Sequence, residues 1–199
     1  MPLPLTPETI HLYGETLCLD YANSVSWSSE DEYADPEGTD VLRTGDLLRR
    51  WGQRLGLLTD DAKPATEAEL RRVRALRDAV HRLFASITHD QETSTKDVTL
   101  LMENYVEAVN QATLLAGEVC YQLDWPAQDP RRVRYAVATD AIGLLRDAQR
   151  LRRVSHCPGR GCGWLFLNIS GRRRWCSMAT CGSREKMRRL HQRQTRPIA

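Results

Sequence analysis

Residues 157–181 read CPGRGCGWLFLNISGRRRWCSMATC and hold four of the six cysteines of the chain. Four residues separate Cys157 from Cys162 and also Cys176 from Cys181, and 13 residues lie between the two pairs. Two close pairs joined by a segment long enough for a hairpin place four sulfurs around one tetrahedral ion, and zinc is the metal expected for such a set. Because four thiolates leave no position for water, the sequence predicts one structural, non-catalytic Zn²⁺.

Other uses of four cysteines compete with zinc. Structural disulfides need an oxidising compartment, and the first residues, MPLPLTPETI, lack the basic start and apolar core of a signal peptide. Unliganded core thiols fit less well, since the segment has too few apolar residues to fold by burial alone. An iron–sulfur cluster also takes four thiolates, but usually at other spacings. Cys18 and Cys120 stand amid apolar neighbours, and we expect them to be buried, reduced thiols.

Around the cysteines, the sequence predicts a hairpin followed by a helix. Residues 163–167 read as an apolar strand, residues 172–175 as the returning partner strand, and the residues between them as the turn. After Cys181, residues 183–192 favour a helix, for which Ser183 is available as the cap.

Charge is divided unevenly along the chain. Residues 1–150 hold 16 Lys and Arg against 25 Asp and Glu, a net charge of −9, whereas residues 151–199 hold 12 against 1, a net charge of +11. A segment this basic usually has a polyanion as its partner, most often a nucleic acid. The candidate DNA-binding residues lie beside the predicted hairpin and on two neighbouring faces of the predicted helix: Arg172, Arg173, Arg174, Arg184, Lys186, Arg188, Arg189 and Arg193.

Helical patterns dominate the first 150 residues. Thr66 and Glu69 form a capping box, after which apolar residues repeat at three- and four-residue spacing as far as Ile87. A shorter helix over residues 46–54 is expected to end at Gly56, a residue that favours the left-handed conformation of a C-terminal cap.

Further helices and one hairpin complete this region. Apolar stripes over residues 98–109 and 133–151 each predict a helix, and residues 114–123 suit a small hairpin between them. We therefore expect a mainly α fold with two domains. Residues 1–150 form a helical domain with a small β-hairpin, and residues 151–199 form a four-cysteine zinc finger, a hairpin followed by a helix.

Composition limits the class of protein. The chain has 199 residues, of which 41% are hydrophobic and 27% charged, and its longest run without Asp, Glu, Lys or Arg spans 11 residues. These values exclude two large domains, and the run is shorter than the ~18 residues of a membrane span, so we expect a cytoplasmic protein. The segment at residues 26–40 is acidic, and we hypothesise that it lies against the basic C-terminal region and competes there with nucleic acid.

A family resemblance adds to these observations. Residues 151–191, which contain CPGRGCGWLFLNISGRRRWCSMATCGSREKMRR at 157–189, resemble the CGNR zinc finger, although Ser183 replaces the asparagine of the Cys-Gly-Asn-Arg signature. Residues 1–150 resemble the associated ABATE region through LCLDYANS at 17–24 and DLLRRW at 46–51. The resemblance implies a bacterial stress-induced transcription regulator with the finger as its DNA-binding module.

The helical domain is expected to sense a ligand or to dimerise. Asp20, Asn23 and Trp51 supply a carboxylate, an amide and an indole that could line a pocket for a small-molecule effector, although helix capping and core packing would also explain them. No nucleophile–base pair or phosphate-binding glycine loop points to an enzyme. We therefore predict a regulator that binds double-stranded DNA, with a homodimer as a further expectation and an RNA-binding accessory factor as the alternative.

Overall fold

The computed structural model describes residues 5–27 and 40–194. Most of the acidic segment predicted to compete with nucleic acid, residues 28–39, lies outside the described residues. Within the described ranges, none of the helices combines the length and the apolar character that a membrane span requires.

The predicted fold class, mainly α with small β-hairpins, is confirmed. Its helical part is built in chain order from α1 (Leu17–Ala22), α2 (Gly45–Arg54), α3 (Glu67–Thr88), α4 (Thr95–Asn110), the hairpin strands β1 (Thr113–Ala116) and β2 (Tyr121–Asp124), α5 (Arg131–Arg146) and α6 (Ala148–Leu151). The cysteine-rich part follows as β3 (Val154–His156), β4 (Leu165–Leu167), a π-helical turn (Met178–Gly182) and α7 (Ser183–Gln194).

Local sequence signals fix the helix ends. The Thr66 side chain accepts a hydrogen bond from the backbone N–H of Glu69 at 3.2 Å, so α3 starts where the capping box predicts. Gly56 has φ +69° just after α2, as expected for a left-handed cap. The predicted helix over 133–151 is broken at Asp147, because the Asp147 side chain accepts from the backbone N–H groups of Gln149 and Arg150 and starts α6.

Helix α3 lies at the centre of the core, in contact with α1, α2, α4 and α5. The apolar repeat predicted for α3 is buried, and the phenolic O–H of Tyr21 on α1 donates to the carbonyl of Val73 at 2.5 Å. The other large side chains buried to less than 2% exposure in this core include Trp51, Phe84, Leu19, Leu42, Leu48, Leu70, Leu76 and Leu101.

A buried arginine joins α3, α4 and α5. Arg134 is fully buried, and its guanidinium donates to Glu69 at 2.6 Å, to the Asn104 side-chain oxygen at 2.6 Å and to Glu107 at 3.0 Å. The Tyr135 hydroxyl also donates to Glu107, at 2.8 Å. A buried charge is tolerated only when it is paired and hydrogen-bonded in this way.

Part of the predicted core is exposed instead. The stripe on α4 splits, since Leu101 is buried whereas Val98, Met102 and Val109 are about two-fifths exposed, at 39%, 42% and 41%. The β1–β2 hairpin projects from the helices, and its turn exposes Cys120. The prediction of a buried thiol is thus confirmed for Cys18 and wrong for Cys120, because the alternating apolar residues of this hairpin face solvent.

Candidate metal centre and nucleic-acid interface

The finger hairpin differs from the prediction in its partner strand. Strand β4 pairs antiparallel with β3, with Val154 opposite Leu167, and not with residues 172–175. The physical reason is that β3 and β4 bury apolar side chains in the helical core, whereas residues 172–175 carry three arginines. The Asn168 side chain instead closes the 168–173 loop by bonding both backbone groups of Arg173, at 2.9 and 3.0 Å.

The four predicted ligands come together around one point. Cys157 and Cys162 lie in the loop between β3 and β4, Cys176 follows the arginine loop, and Cys181 lies in the π-helical turn. Their sulfurs all lie within 4.8 Å of one another, with Cys162 and Cys176 at 3.6 Å and Cys176 and Cys181 at 3.5 Å. Sulfurs on a tetrahedral zinc ion, each at ~2.3 Å, are roughly 3.8 Å apart, so the cluster fits one Zn²⁺.

The surroundings of the sulfurs favour thiolates. The backbone N–H of Cys176 donates to the Cys157 sulfur at 3.4 Å, and the Arg184 guanidinium donates to the Cys181 sulfur at 3.2 Å. A Cβ atom at Gly159 would lie 2.9 Å from the Cys181 sulfur, so only glycine allows the chain to pass this close. These contacts fit a metal centre whose negative charge is shared with neighbouring donors.

The short distances between the sulfurs also shift the pKa values of the cysteines. Hydrogen bonds from neighbouring thiols lower the pKa of Cys157, while hydrogen bonding to Cys157 raises the pKa of Cys162 and of Cys176. Adjacent sulfurs therefore share protons, because several bare thiolates would repel one another. A divalent ion removes this conflict by taking the place of the protons, which is the role of zinc in a site of four cysteines.

The hairpin of the finger belongs to the same core as the helices. Val154, Leu165 and Leu167 pack within the main apolar cluster, and the backbone N–H of Leu167 donates to the carbonyl of Gly14 at 2.9 Å. A ring nitrogen of His81 lies 2.8 Å from the carbonyl of Gly163. The division of the chain at residue 150 stays a prediction, but the hairpin after it is anchored on the helices before it.

Asn23 makes the most specific of these anchors. It is fully buried on the turn after α1, and its amide donates to the carbonyl of Leu165 at 2.7 Å and accepts from the N–H of Leu165 at 2.9 Å. The side chain thus satisfies both backbone groups of the residue at the start of β4, which lies between two cysteine ligands in the sequence.

We predict that Asn23→Ala destabilises the protein by roughly 2 kcal/mol or more, because it leaves a buried N–H and a buried carbonyl of Leu165 without partners. Gln53→Ala is the control, since the Gln53 amide on α2 bonds an exposed loop carbonyl that water can satisfy instead. Urea unfolding of both variants measures the difference. Equal stabilities would contradict an anchoring role for Asn23.

The other two residues of the predicted pocket are also held within the fold. The Asp20 carboxylate accepts from the backbone N–H of Gly14 at 2.7 Å, and burial raises the pKa of Asp20 to about 6. Trp51 is fully buried, and its ring lies 5.8 Å from the Tyr21 ring. With Asn23 bonded to Leu165, the structure gives each residue packing or capping contacts, and a ligand pocket formed by these three stays a prediction.

The predicted DNA-binding residues fall into two groups. Arg173 is committed to the fold: its guanidinium donates to the carbonyls of Tyr13 and Cys176 and lies 4.4 Å from the centre of the Phe166 ring. Arg184 donates to a metal ligand, as described above. Arg188 and Arg189 pair with Glu185, in each case with a closest distance of 2.7 Å.

The remaining cations are available at the surface. Arg172, Lys186 and Arg193 are exposed and have no ion-pair partner within residues 5–27 and 40–194. The Arg174 guanidinium is also exposed and lies 5.4 Å from the centre of the Trp175 ring. Three of these residues, Arg174, Lys186 and Arg193, line a cleft of about 320 Å³ on one side of α7, together with Arg189 and Trp175.

Helix α7 separates two surfaces. Arg184 and Arg188 line a groove beside the metal centre, whereas Lys186, Arg189 and Arg193 line the cleft on the neighbouring face. The sequence analysis placed these residues on two neighbouring faces, and the structure shows that the faces have different surroundings. The pairs of Glu185 with Arg188 and Arg189 lie at three- and four-residue spacing on α7 and could have been predicted from the sequence. The contacts of His11 and Tyr13 beside Trp164 could not, because tertiary structure brings these residues together.

Two family models together cover most of the chain. Residues 15–148, more than half of the chain, match the ABATE family model, whose description is a putative stress-induced transcription regulator. Residues 153–194 match the CGNR zinc finger model. The second match contains all four clustered cysteines. No curated protein matches the chain.

Proposed function

Because the chain belongs to the ABATE family and carries a CGNR zinc finger, we propose that it regulates transcription by binding double-stranded DNA through helix α7. The observation that carries this proposal is the projecting cationic helix held by a four-cysteine centre. Four sulfur ligands leave no site for a reactive water, which supports a binding protein and not a metalloenzyme. Free thiols and a DNA partner are consistent with action in the cytoplasm.

The shape of α7 supports insertion into a duplex. The helix has 12 residues, none of them buried, and extends for roughly 18 Å from the metal centre. The major groove of B-DNA is about 12 Å wide and admits one α-helix. The surface formed by Arg172, Arg174, Lys186, Arg189 and Arg193, here called the cationic face, combines the four available cations with Arg189, which shares Glu185 with Arg188.

The two aromatic rings beside the arginine loop, Phe166 and Trp175, favour a duplex over single-stranded RNA on this side of the finger. Single-strand binding proteins stack bases on exposed rings. Phe166 is 1% exposed and lies beneath Arg173, and the ring of Trp175 lies near Arg174 and is only partly exposed. An RNA-binding accessory factor is therefore the weaker proposal, and titration with single-stranded RNA in the experiment below tests it directly.

We predict that Lys186→Ala with Arg193→Ala weakens binding to any duplex and flattens its salt dependence. If the five cations of the cationic face contact phosphates, the slope of log K against log salt is roughly −4.5, and removal of two contacts reduces its magnitude by about 2. Anisotropy of a labelled random-sequence duplex, measured at several salt concentrations, gives both slopes.

Arg71→Ala is the control for this prediction, since Arg71 is an exposed arginine on α3, far from α7 in the sequence. It should leave the slope unchanged. An equal change of slope in the control and in the double variant would contradict the assignment of the cationic face. Tighter binding to single-stranded RNA than to the duplex would overturn the proposed function.

The helical part is proposed to sense a ligand or to form the homodimer that the sequence analysis allows. Exposed apolar side chains on α4 and on the β1–β2 hairpin are available for association. Sedimentation of the zinc-loaded protein tests dimerisation.

A further inference from the structure

A groove of about 500 Å³ lies beside the metal centre, outside the cationic face. One wall comes from the segment before α1, including His11 and Tyr13. The opposite side comes from the Cys157–Cys162 loop and the first turns of α7. Small-molecule sites have volumes of roughly 300–1,000 Å³, so the groove is large enough for a ligand of two fused rings or a mononucleotide.

Three aromatic side chains, a stacked pair and a third ring tilted against it, line one part of this groove. The His11 and Tyr13 rings are stacked, with centroids 4.9 Å apart and planes 14° apart. The Trp164 ring is tilted against Tyr13, with centroids 6.0 Å apart. The Tyr13 hydroxyl and the Trp164 indole N–H have no hydrogen-bond partner among the described residues. These rings present π faces for stacking and polar edges that a ligand could satisfy.

The polar groups of the groove are mostly hydrogen-bond donors. Arg184 uses one N–H on the Cys181 sulfur, and a guanidinium has five. Among the lining residues that the structure describes, the one acidic residue is Glu185. Its carboxylate already accepts hydrogen bonds from Arg188 and Arg189. A zinc ion bound by four thiolates would carry a charge of −2, which opposes an anion, so the N–H groups of Arg184 that Cys181 leaves unused are what attract one. A ligand that completes this site therefore brings acceptors, for which a carboxylate or phosphate is the best match to a guanidinium.

We propose that this groove binds a small planar aromatic molecule that carries a carboxylate or a phosphate. Its ring stacks on a face that one of the rings of His11, Tyr13 and Trp164 leaves uncovered, and its anionic group accepts hydrogen bonds from Arg184. The ligand thus contacts the segment before α1 and the first turn of α7 at the same time. If the proposed function holds, occupancy of the groove alters the presentation of α7 to DNA, but binding itself does not depend on that function.

Isothermal titration of the zinc-loaded full chain tests the proposal, with salicylate and adenosine 5′-monophosphate as probes. Cyclohexanecarboxylate, which has the charge without the flat ring, and benzamide, which has the ring without the charge, are the matched controls. We expect one-to-one binding of at least one probe with a Kd below ~1 mM. Each control ligand should bind about tenfold more weakly, because it lacks one of the two interactions.

Two variants assign the binding to the groove. Tyr13→Leu should weaken the probe about tenfold through loss of stacking, and His11→Ala should weaken it in the same direction. Tyr121→Leu, at an exposed tyrosine of the β1–β2 hairpin, should leave the Kd unchanged. Zinc content and circular dichroism, measured for each variant, identify any variant that fails to fold. If one of the two groove variants fails to fold, the Kd of the other tests whether the probe binds in the groove.

The proposal is overturned if neither probe binds, if the control ligands bind as tightly as the probes, or if folded Tyr13→Leu and His11→Ala retain full affinity. Binding of single-stranded oligo-dA without binding of the free nucleotide would also overturn it, since the groove would then hold a strand. Duplex binding is measured separately. Binding of the duplex but of neither probe would support the proposed function and contradict the ligand proposal. Binding of a probe but not of the duplex would support the ligand proposal and contradict the proposed function.

Discussion

Cys176→Ser and Cys181→Ser are each expected to abolish zinc binding and DNA binding together, while most of the helical signal remains. Both side chains are buried within the cluster, and each supplies one of four sulfurs that lie within 4.8 Å of one another. Binding of structural zinc is worth ~10–16 kcal/mol in finger peptides, so loss of one thiolate removes the main stabilisation of this module.

The structure also predicts which part of the finger is lost. Helix α7 contacts the rest of the protein chiefly through the π-helical turn that carries Cys181, and it buries no residue of its own. Without the metal, nothing comparable holds it in place, and a 12-residue helix is marginal in water on its own. Strands β3 and β4 should persist, because Val154, Leu165 and Leu167 are packed in the helical core.

Three measurements check this prediction. Elemental analysis should give about one zinc per chain for the parent protein and none for the variants. Hydrogen exchange should stay slow at residues 165–167 and become fast across residues 183–194. Cys120→Ser is the control, since Cys120 is exposed and lies outside the cluster, and it should behave as the parent. Duplex binding by a metal-free variant would refute the link between the centre and α7.

The comparison of sequence with structure shows which signals are local. The four ligands, the Thr66 cap and the Gly56 cap depend on residue type and on short spacings, and all were predictable. The pairing of β4 was not, because residues 163–167 are apolar whichever strand they join. The pairing depends on Val154, an apolar residue before the first cysteine, which is buried opposite Leu167. A local sequence pattern does not show that helices lie there to bury it.

The arginines illustrate a second limit of sequence analysis. Arg172, Arg173 and Arg174 are equivalent as a run of charge, yet only Arg173 turns inward to three backbone carbonyls and the Phe166 ring. Its contacts include Tyr13, about 160 residues away in the chain. Charge patterning therefore located the basic segment but overestimated the number of cations that it offers at the surface.

Arg134→Ala is expected to destabilise the protein by about 3–5 kcal/mol, the usual result of removing one partner from a buried ion pair. The guanidinium is fully buried between Glu69 and Glu107, and its loss leaves those carboxylates without their shared cation. Arg131→Ala is the matched control on the same helix, because the Arg131–Asp129 pair is half exposed and surface pairs contribute about 0–1 kcal/mol. Urea unfolding at pH 7 measures both differences.

The pH dependence of this loss distinguishes a missing charge partner from a simple cavity. Partial burial would raise the pKa of Glu107, but hydrogen bonds from Arg134, Arg72 and Tyr135 outweigh it and lower the pKa to about 2. A carboxyl group with a lowered pKa in the folded state stabilises the protein above its ordinary pKa of 4.5, and this contribution is lost as the pH falls towards 2. The stability difference between parent and Arg134→Ala should therefore be largest at neutral pH and shrink below about pH 4.5. Both proteins lose zinc as their thiolates are protonated, so that loss cancels in the difference. A difference that stays constant from pH 7 to pH 3 would show that Arg134 stabilises the bundle by packing alone.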